Sequence, residues 1–296
     1  MDKSGPVPAS LSVPKPLRGP FIVTGPPPPP HTRPRRHLSR PLEHPHKLIQ
    51  LISQTHPTPC TVSVSAQIHM NLHALLCESE VIGWLAGRVD GELVQIVKAF
   101  PVKAHGDTEN PNMNVEMDPI AAVEVQDIIT LEGLQIVGWY HSHPKFANTP
   151  SILDIESQVK QQQTAEGHFL GAIVSPFWTP SLPPLCLFTV EEDLDHLSTY
   201  HYFPPCAVRF SVVEEVGRDL VLGIAKELIE LYCEHPQRVT LDAKWSKGKT
   251  YGEKVRSSAE ELVGPALAEE ICRLLYQAWG DEVTPLKQRK VEKESN

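Results

Sequence analysis

"GWYHSHPKFANTPSILDIE", residues 138–156, sets two histidines one residue apart at the end of an apolar run. Beyond a proline it adds a serine and an aspartate one helical turn apart. Side chains alternate along a strand, so Val137, Trp139, His141 and, where extended backbone persists, His143 point to one side. An H-x-H pair leaving a strand end can aim both imidazoles at one point. Pro150–Ser151 marks a helix start, and Asp154 in the first turn can return a carboxylate to that point. Two histidine nitrogens and one carboxylate oxygen, with water in the fourth position, make the ligand set of a catalytic zinc site rather than a closed structural one.

Zinc chemistry of this kind polarises a carbonyl and acidifies a water, and the water needs a base that is not itself a ligand. Glu80 sits at a helix–strand junction, where a carboxylate can face the end of a neighbouring strand. Ser151 can donate to an oxygen that turns negative in a tetrahedral intermediate. The same residues have plainer readings. "SILD" is also a capping box in which Asp154 caps its own helix. His141 and His143 can be loop surface, and Glu80 an ordinary helix-end acid with Glu78 equally eligible.

Outward from this stretch, the chain reads as an α/β domain. "CTVSVSAQI" predicts a strand ending near Ser65, and "AQIHMNLHALLCESE" a helix with Ile68, Leu72, Leu75 and Leu76 on its apolar spacing. "VIGWLAGRV" and "LVQIVKAFPV" flank a tight turn at "DGE". "DPIAAVEVQDIITLEGL" opens as a helix at Asp-Pro, with Ala121, Val125 and Ile128 on one stripe. "LQIVGWYH" is strand and "SILDIESQVKQQQTAEG" helix; "FLGAIVSPF" and "LCLFTVEED" are strands around a proline-bearing loop. Two helical patterns follow at 212–236 and 251–278. The expected division is a Pro/His/Arg-rich disordered tail over 1–57, a catalytic domain over 58–205, a helical extension over 206–280 and a charged tail over 281–296.

The first 58 residues carry a polyproline run and eight Lys/Arg against two acids, a net +6, so the remainder carries −15 to give the total of −9. A segment so rich in proline and charge buries too little to fold alone. Its "RPRRH" is a weak nuclear-import or nucleic-acid signal. The acidic remainder argues against a nucleic-acid interface across the folded face, leaving the tail as the one place for such contact. Six dispersed cysteines without a CxxC pair, no apolar leader and no 18-residue apolar span fit an intracellular chain with free thiols and no membrane span.

"HSHPKFANTPSILD", with "SEVIGWLAG" some sixty residues upstream, resembles the JAMM motif of the MPN-domain metalloproteases. The resemblance runs from about Cys60 to Glu192. "GWYHSHP", "EMDP" (116–119), "DIESQ" (154–158) and "IVSPF" (173–177) are most similar to its histone-deubiquitinase branch and to plain MPN-domain proteins. It implies the MPN (JAB/cytidine-deaminase-like) fold, a central mixed sheet flanked by helices, with helices at the C-terminus. It also implies a ubiquitin isopeptidase holding one Zn²⁺ per chain on His141, His143 and Asp154. Glu80 is then base and acid, and Ser151 the oxyanion donor.

Ubiquitin or a ubiquitinated protein is the implied partner, with a homodimer or another MPN protein as the implied assembly and the nucleus as the expected site. The segment between Phe100 and Met117 is the candidate edge for pairing with a ubiquitin tail, and the loop around Trp178 a second, short substrate loop. No SWIRM or Myb-like module is found in the sequence, so a histone substrate is implied less firmly than the chemistry. Trp84 stands where the family usually has a smaller aliphatic residue, either as core packing or as a wall of the site. The competing classes are a non-catalytic MPN scaffold or ubiquitin reader, a deaminase-type zinc hydrolase lacking here its C-x₂-C partner, and a nucleic-acid-binding protein.

Overall fold

Alternating apolar residues build seven strands that close on themselves in a computed structural model describing residues 52–105, 115–165, 167–191, 205–213 and 216–279. The strands are β1 (Ile52–Ser63), β2 (Ile82–Asp90), β3 (Leu93–Val102), β4 (Gln135–Ser142), β5 (Leu170–Val174), β6 (Cys186–Val190) and β7 (Pro205–Val213). Their order is β1-β3-β2-β4-β5-β6-β7, closed through β1 and β7. The sheet is mixed: β1 runs parallel to β3 and β7, and β4 parallel to β5, while the other pairs are antiparallel. At Gly138 the strands come so close that a Cβ would strike the Leu170 carbonyl, so only glycine keeps β4 against β5. An MPN/JAB-like architecture results, a mixed sheet flanked by helices with a helical C-terminal region.

Among the described residues six helices surround the barrel: α1 (Val64–Leu75), α2 (Pro119–Leu131), α3 (Ile152–Thr164), α4 (Arg218–Tyr232), α5 (Tyr251–Val263) and α6 (Pro265–Trp279). A short hairpin, β8 (Lys244–Ser246) with β9 (Lys249–Thr250), precedes α5. Helix α1 buries every residue from Ile68 to Leu75, because it lies between the barrel and the C-terminal helices. Residues of α1, the strands, α4, α5 and α6 share one apolar core. The C-terminal helices therefore complete this core rather than standing off it.

Several expectations shift. Helix α1 starts at Val64, two residues earlier than the residue pattern suggested, because Ser63 caps it by accepting the Ala66 N–H at 3.0 Å. Strand β1 begins at Ile52, inside the stretch expected to be disordered; residues 1–51 lie outside the described residues. The helix expected from 212 begins at Arg218, since Pro205–Val213 is spent pairing with β1 and β6. The pattern over 251–278 is two helices, broken where Gly264 takes φ 79° and Pro265 follows. Helix α2 does not bury the Ala121–Val125–Ile128 stripe. It buries Ile129 and leaves Ile120, Val123, Ile128 and Leu131 exposed.

Trp84 is packing: its Nε1–H donates to the Ala122 carbonyl at 3.2 Å, and its ring meets Phe169 edge-on at 6.5 Å. The candidate pairing edge between Phe100 and Met117 is the end of β3 followed by a short antiparallel ladder of 103–105 with 116–118. Residues 106–114 between them lie outside the described residues. No disulfide joins any of the six cysteines. Among the described residues no helix is long and apolar enough to cross a membrane.

Candidate metal centre

Strand β4 delivers His141 and Ser142, and His143 follows at once with its N–H bonded to the Val174 carbonyl at 2.8 Å. That bond prolongs the β4–β5 pairing past the strand end, which is why both imidazoles reach the same side. After the turn, Ser151 caps α3 in a full capping box. Its Oγ accepts the Asp154 N–H at 3.3 Å, and its own N–H donates to Asp154 Oδ2 at 2.6 Å. The carboxylate so held faces both rings: Oδ1 lies 3.1 Å from His141 Nε2 and Oδ2 3.3 Å from His143 Nε2. The two Nε2 atoms are 3.0 Å apart. The capping reading and the metal reading thus describe one and the same carboxylate.

Glu80 arrives by register. Ile82 pairs with His141 in the antiparallel β2–β4 ladder. The Ser142 N–H donates to the Val81 carbonyl at 2.9 Å, and the Val81 N–H donates to Ser142 Oγ at 3.0 Å. Continued one residue, this places Glu80 beside His143. Burial pushes the Glu80 carboxyl up from its ordinary value, against the pull of His141 and His143, while the Asp154 charge adds to the rise. Burial also opposes charge on Asp154, but the two imidazoles outweigh it and hold that carboxyl well below the usual range. On His143, burial is outweighed by the Asp154 hydrogen bond and charge, with help from the Ala147 carbonyl and Glu80, so its pKa is raised. Glu78, the compositional rival of Glu80, is engaged elsewhere: its Oε2 accepts the Tyr251 hydroxyl at 3.1 Å.

The donor set fits a borderline divalent metal. One ligand atom each from His141, His143 and Asp154 lies within 4.8 Å of the others, and all three residues are buried. The Ala147 carbonyl can only accept, so His143 Nδ1 carries the proton of their 2.9 Å bond, and Nε2 is the nitrogen that faces the cluster. Two imidazole nitrogens and a carboxylate converging in a buried site are what zinc takes, with Glu80 beside them and outside the set.

The sequence put Trp139 on the strand face of His141 but gave no role to it or to Gln158. Trp139 stacks on His141, and Gln158 accepts the Trp139 indole N–H at 2.7 Å. The available signal was the i, i+4, i+8 spacing of Asp154, Gln158 and Gln162, which puts all three on one stripe of α3.

A closed mixed barrel carrying an H-x-H pair at a strand end and an S-x-x-D cap across from it defines an MPN/JAB domain with a JAMM-like His-His-Asp cluster. Residues 54–167 match the family model described as JAB1/Mov34/MPN/PAD-1 ubiquitin protease. An MPN/JAB domain is therefore present in this chain.

Among curated proteins, the chain is 27% identical over 256 residues to the mouse (Mus musculus) MPN domain-containing protein, covering 79% of this chain and 51% of that one. It is 30% identical over 194 residues to mouse Deubiquitinase MYSM1, covering 63% of this chain and 23% of that one. The MYSM1 of Branchiostoma floridae, named as a histone deubiquitinase, is 34% identical over 154 residues, 49% of this chain and 18% of that one. The chain spans about half the length of the first of these relatives and under a quarter of the other two.

Proposed function

We propose that this protein is a zinc-dependent isopeptidase that removes ubiquitin from conjugated proteins. The observation that carries the reading is the buried convergence of His141, His143 and Asp154 with Glu80 beside them and outside the ligand set. His141, His143 and Asp154 would hold the metal. Bound zinc supplies Lewis-acid polarisation of the scissile carbonyl and an acidified attacking water.

The chain's own residues do the rest. Glu80, held by the Val81–Ser142 bond pair, accepts the proton of the attacking water and passes it to the departing lysine amine. Ser151 Oγ uses a lone pair to cap Asp154, which leaves its O–H free to donate to the oxyanion as the carbonyl becomes tetrahedral. The Ser151 backbone N–H and the Ala147 carbonyl keep Asp154 and His143 oriented throughout.

A ubiquitin conjugate is the proposed substrate, supported by the family description and by the deubiquitinases among the relatives. The name of the Branchiostoma relative makes a ubiquitinated histone the first conjugate to try, and the nucleus the proposed location. A second MPN domain, from another copy or another chain, is the proposed partner, for which the exposed Ile120, Val123 and Leu131 of α2 offer apolar surface. The N-terminal basic tail remains the proposed place for any nucleic-acid contact.

The test is cleavage of di-ubiquitin and of ubiquitinated nucleosomes by zinc-loaded protein, before and after chelation and zinc restoration. Cleavage that chelation abolishes and zinc restores supports the isopeptidase. One zinc per chain with neither substrate cut would favour the scaffold reading instead.

A further inference from the structure

The two histidines of the cluster are held in different ways. A ligating imidazole is ordinarily oriented by a hydrogen bond from its second ring nitrogen, and His143 has one, from Nδ1–H to the Ala147 carbonyl. His141 does not. Its Nε2 faces the cluster, while its buried Nδ1 finds no hydrogen-bond partner among the described residues.

A ring face supports His141 instead. The Trp139 indole lies 4.8 Å from the imidazole, centroid to centroid, with 9° between the planes. Stacking fixes the ring's plane, but it transmits only as much orientation as the indole itself possesses. The indole is pinned at its far end by the 2.7 Å bond from its Nε1–H to Gln158 Oε1.

Gln158 is fully buried and has no spare polar atom. Its Nε2 donates to the Phe169 carbonyl at 2.7 Å and to Gln162 Oε1 at 2.8 Å. Gln162 in turn clasps β6: its Oε1 accepts the Val190 N–H and its Nε2 donates to the Val190 carbonyl, both at 3.0 Å. The amide plane of Gln158 is thereby fixed, and with it the acceptor that meets the indole. Gln158 lies one turn beyond Asp154 on α3, so the same helix presents one ligand directly and orients another, on β4, through an indole.

We infer that Gln158 is a positioning residue for the metal centre: through the Trp139 indole it sets the ring plane of His141, replacing the outer hydrogen bond that His141 lacks. The inference rests on His141 being a metal ligand, as proposed above.

The test is zinc affinity of the full chain, by competition with a chromophoric chelator, for wild type, Gln158→Leu, Trp139→Phe and the double variant. Trp139→Phe keeps a ring to stack but removes the N–H that Gln158 anchors, and it decides the matter should Gln158→Leu fail to fold. Trp279→Phe is the control. It deletes the same kind of bond, indole N–H to the Ile229 carbonyl at 3.2 Å, in a helix remote from the cluster.

Each site variant is expected to bind zinc about tenfold or more weakly, in the range for lost outer partners of metal ligands. The double variant should be no worse than the weaker single, since both act through one bond. The control should bind as wild type does, and the visible d–d spectrum of the cobalt-loaded site variants should shift. Wild type that binds zinc while the folded site variants bind within threefold of it would overturn this inference alone. Wild type that binds no zinc would overturn the ligand assignment and this inference with it.

Discussion

The Ser151 backbone N–H donates to Asp154 Oδ2 at 2.6 Å, while the Ser151 hydroxyl accepts the Asp154 N–H in return. Only the second of these bonds uses the side chain. Ser151→Ala therefore leaves the carboxylate held in place and should retain zinc. It loses the cap, worth about 1 kcal/mol of stability. It should also lower kcat by roughly 100- to 1000-fold if the hydroxyl serves the oxyanion. Thermal unfolding, zinc content and single-substrate kinetics on one preparation separate the three effects; unchanged kcat would remove Ser151 from the chemistry.

Acid should destabilise the fold through α1. Burial, with Lys98 adding to it, lowers His69 to about 4, and neither of its ring nitrogens has a hydrogen-bond partner among the described residues. Burial, with His69 and His235 adding to it, also holds His73 well below its ordinary value. His73 bridges the hydroxyls of Tyr140 at 2.8 Å and Tyr232 at 2.7 Å. The unfolded chain takes up protons below about pH 6.5 that the folded chain refuses, so stability falls as pH drops below that value. His69 alone accounts for about 2 kcal/mol by pH 5, and its share levels off below about pH 4. His69→Leu should reduce the pH 7-to-5 loss by that amount in urea titrations. An unaltered pH dependence would show that His69 is not held neutral.

The loop after β5 is held by α5. Lys254, 1% exposed, donates from Nζ to the Thr179 carbonyl at 3.0 Å and the Pro180 carbonyl at 2.8 Å. Glu261 accepts the Leu182 N–H at 2.9 Å, and Trp245 Nε1–H reaches the Phe177 carbonyl at 3.3 Å. Lys254→Met preserves the stem and strands two carbonyls. A loss of about 1–3 kcal/mol is expected, with faster amide exchange confined to residues 175–184. Exchange that rises uniformly along the chain would mean that Lys254 supports the whole core instead.

What the sequence disclosed of this site was what is local in it. H-x-H needs only a strand end, and S-x-x-D needs only one helical turn, so both motifs carry their geometry in their spacing. The placement of Glu80 depended on the β2–β4 register, which is not local, and the motif resemblance supplied it. The stacked Trp139 and its Gln158 anchor stayed hidden because their bond joins β4 to α3, and nothing in either segment names its partner.

The fold divides in the same way. Strands β2 and β3 match their apolar runs, whereas β7 was masked by "PPC" at its start and by a run of acids and valines that also suits a helix. Barrel closure rests on β1 pairing with β7 across some 150 residues, and no local pattern records such a pairing.

The central claim is that Glu80 is a proton carrier beside a zinc held by three other residues. Wild type and Glu80→Gln, each loaded with zinc and assayed for metal content, should be compared on di-ubiquitin. Both are predicted to hold one zinc per chain, with cleavage by the glutamine variant down by about 100-fold or more, as expected for loss of a general base. Cleavage by Glu80→Gln at the wild-type rate would contradict the account.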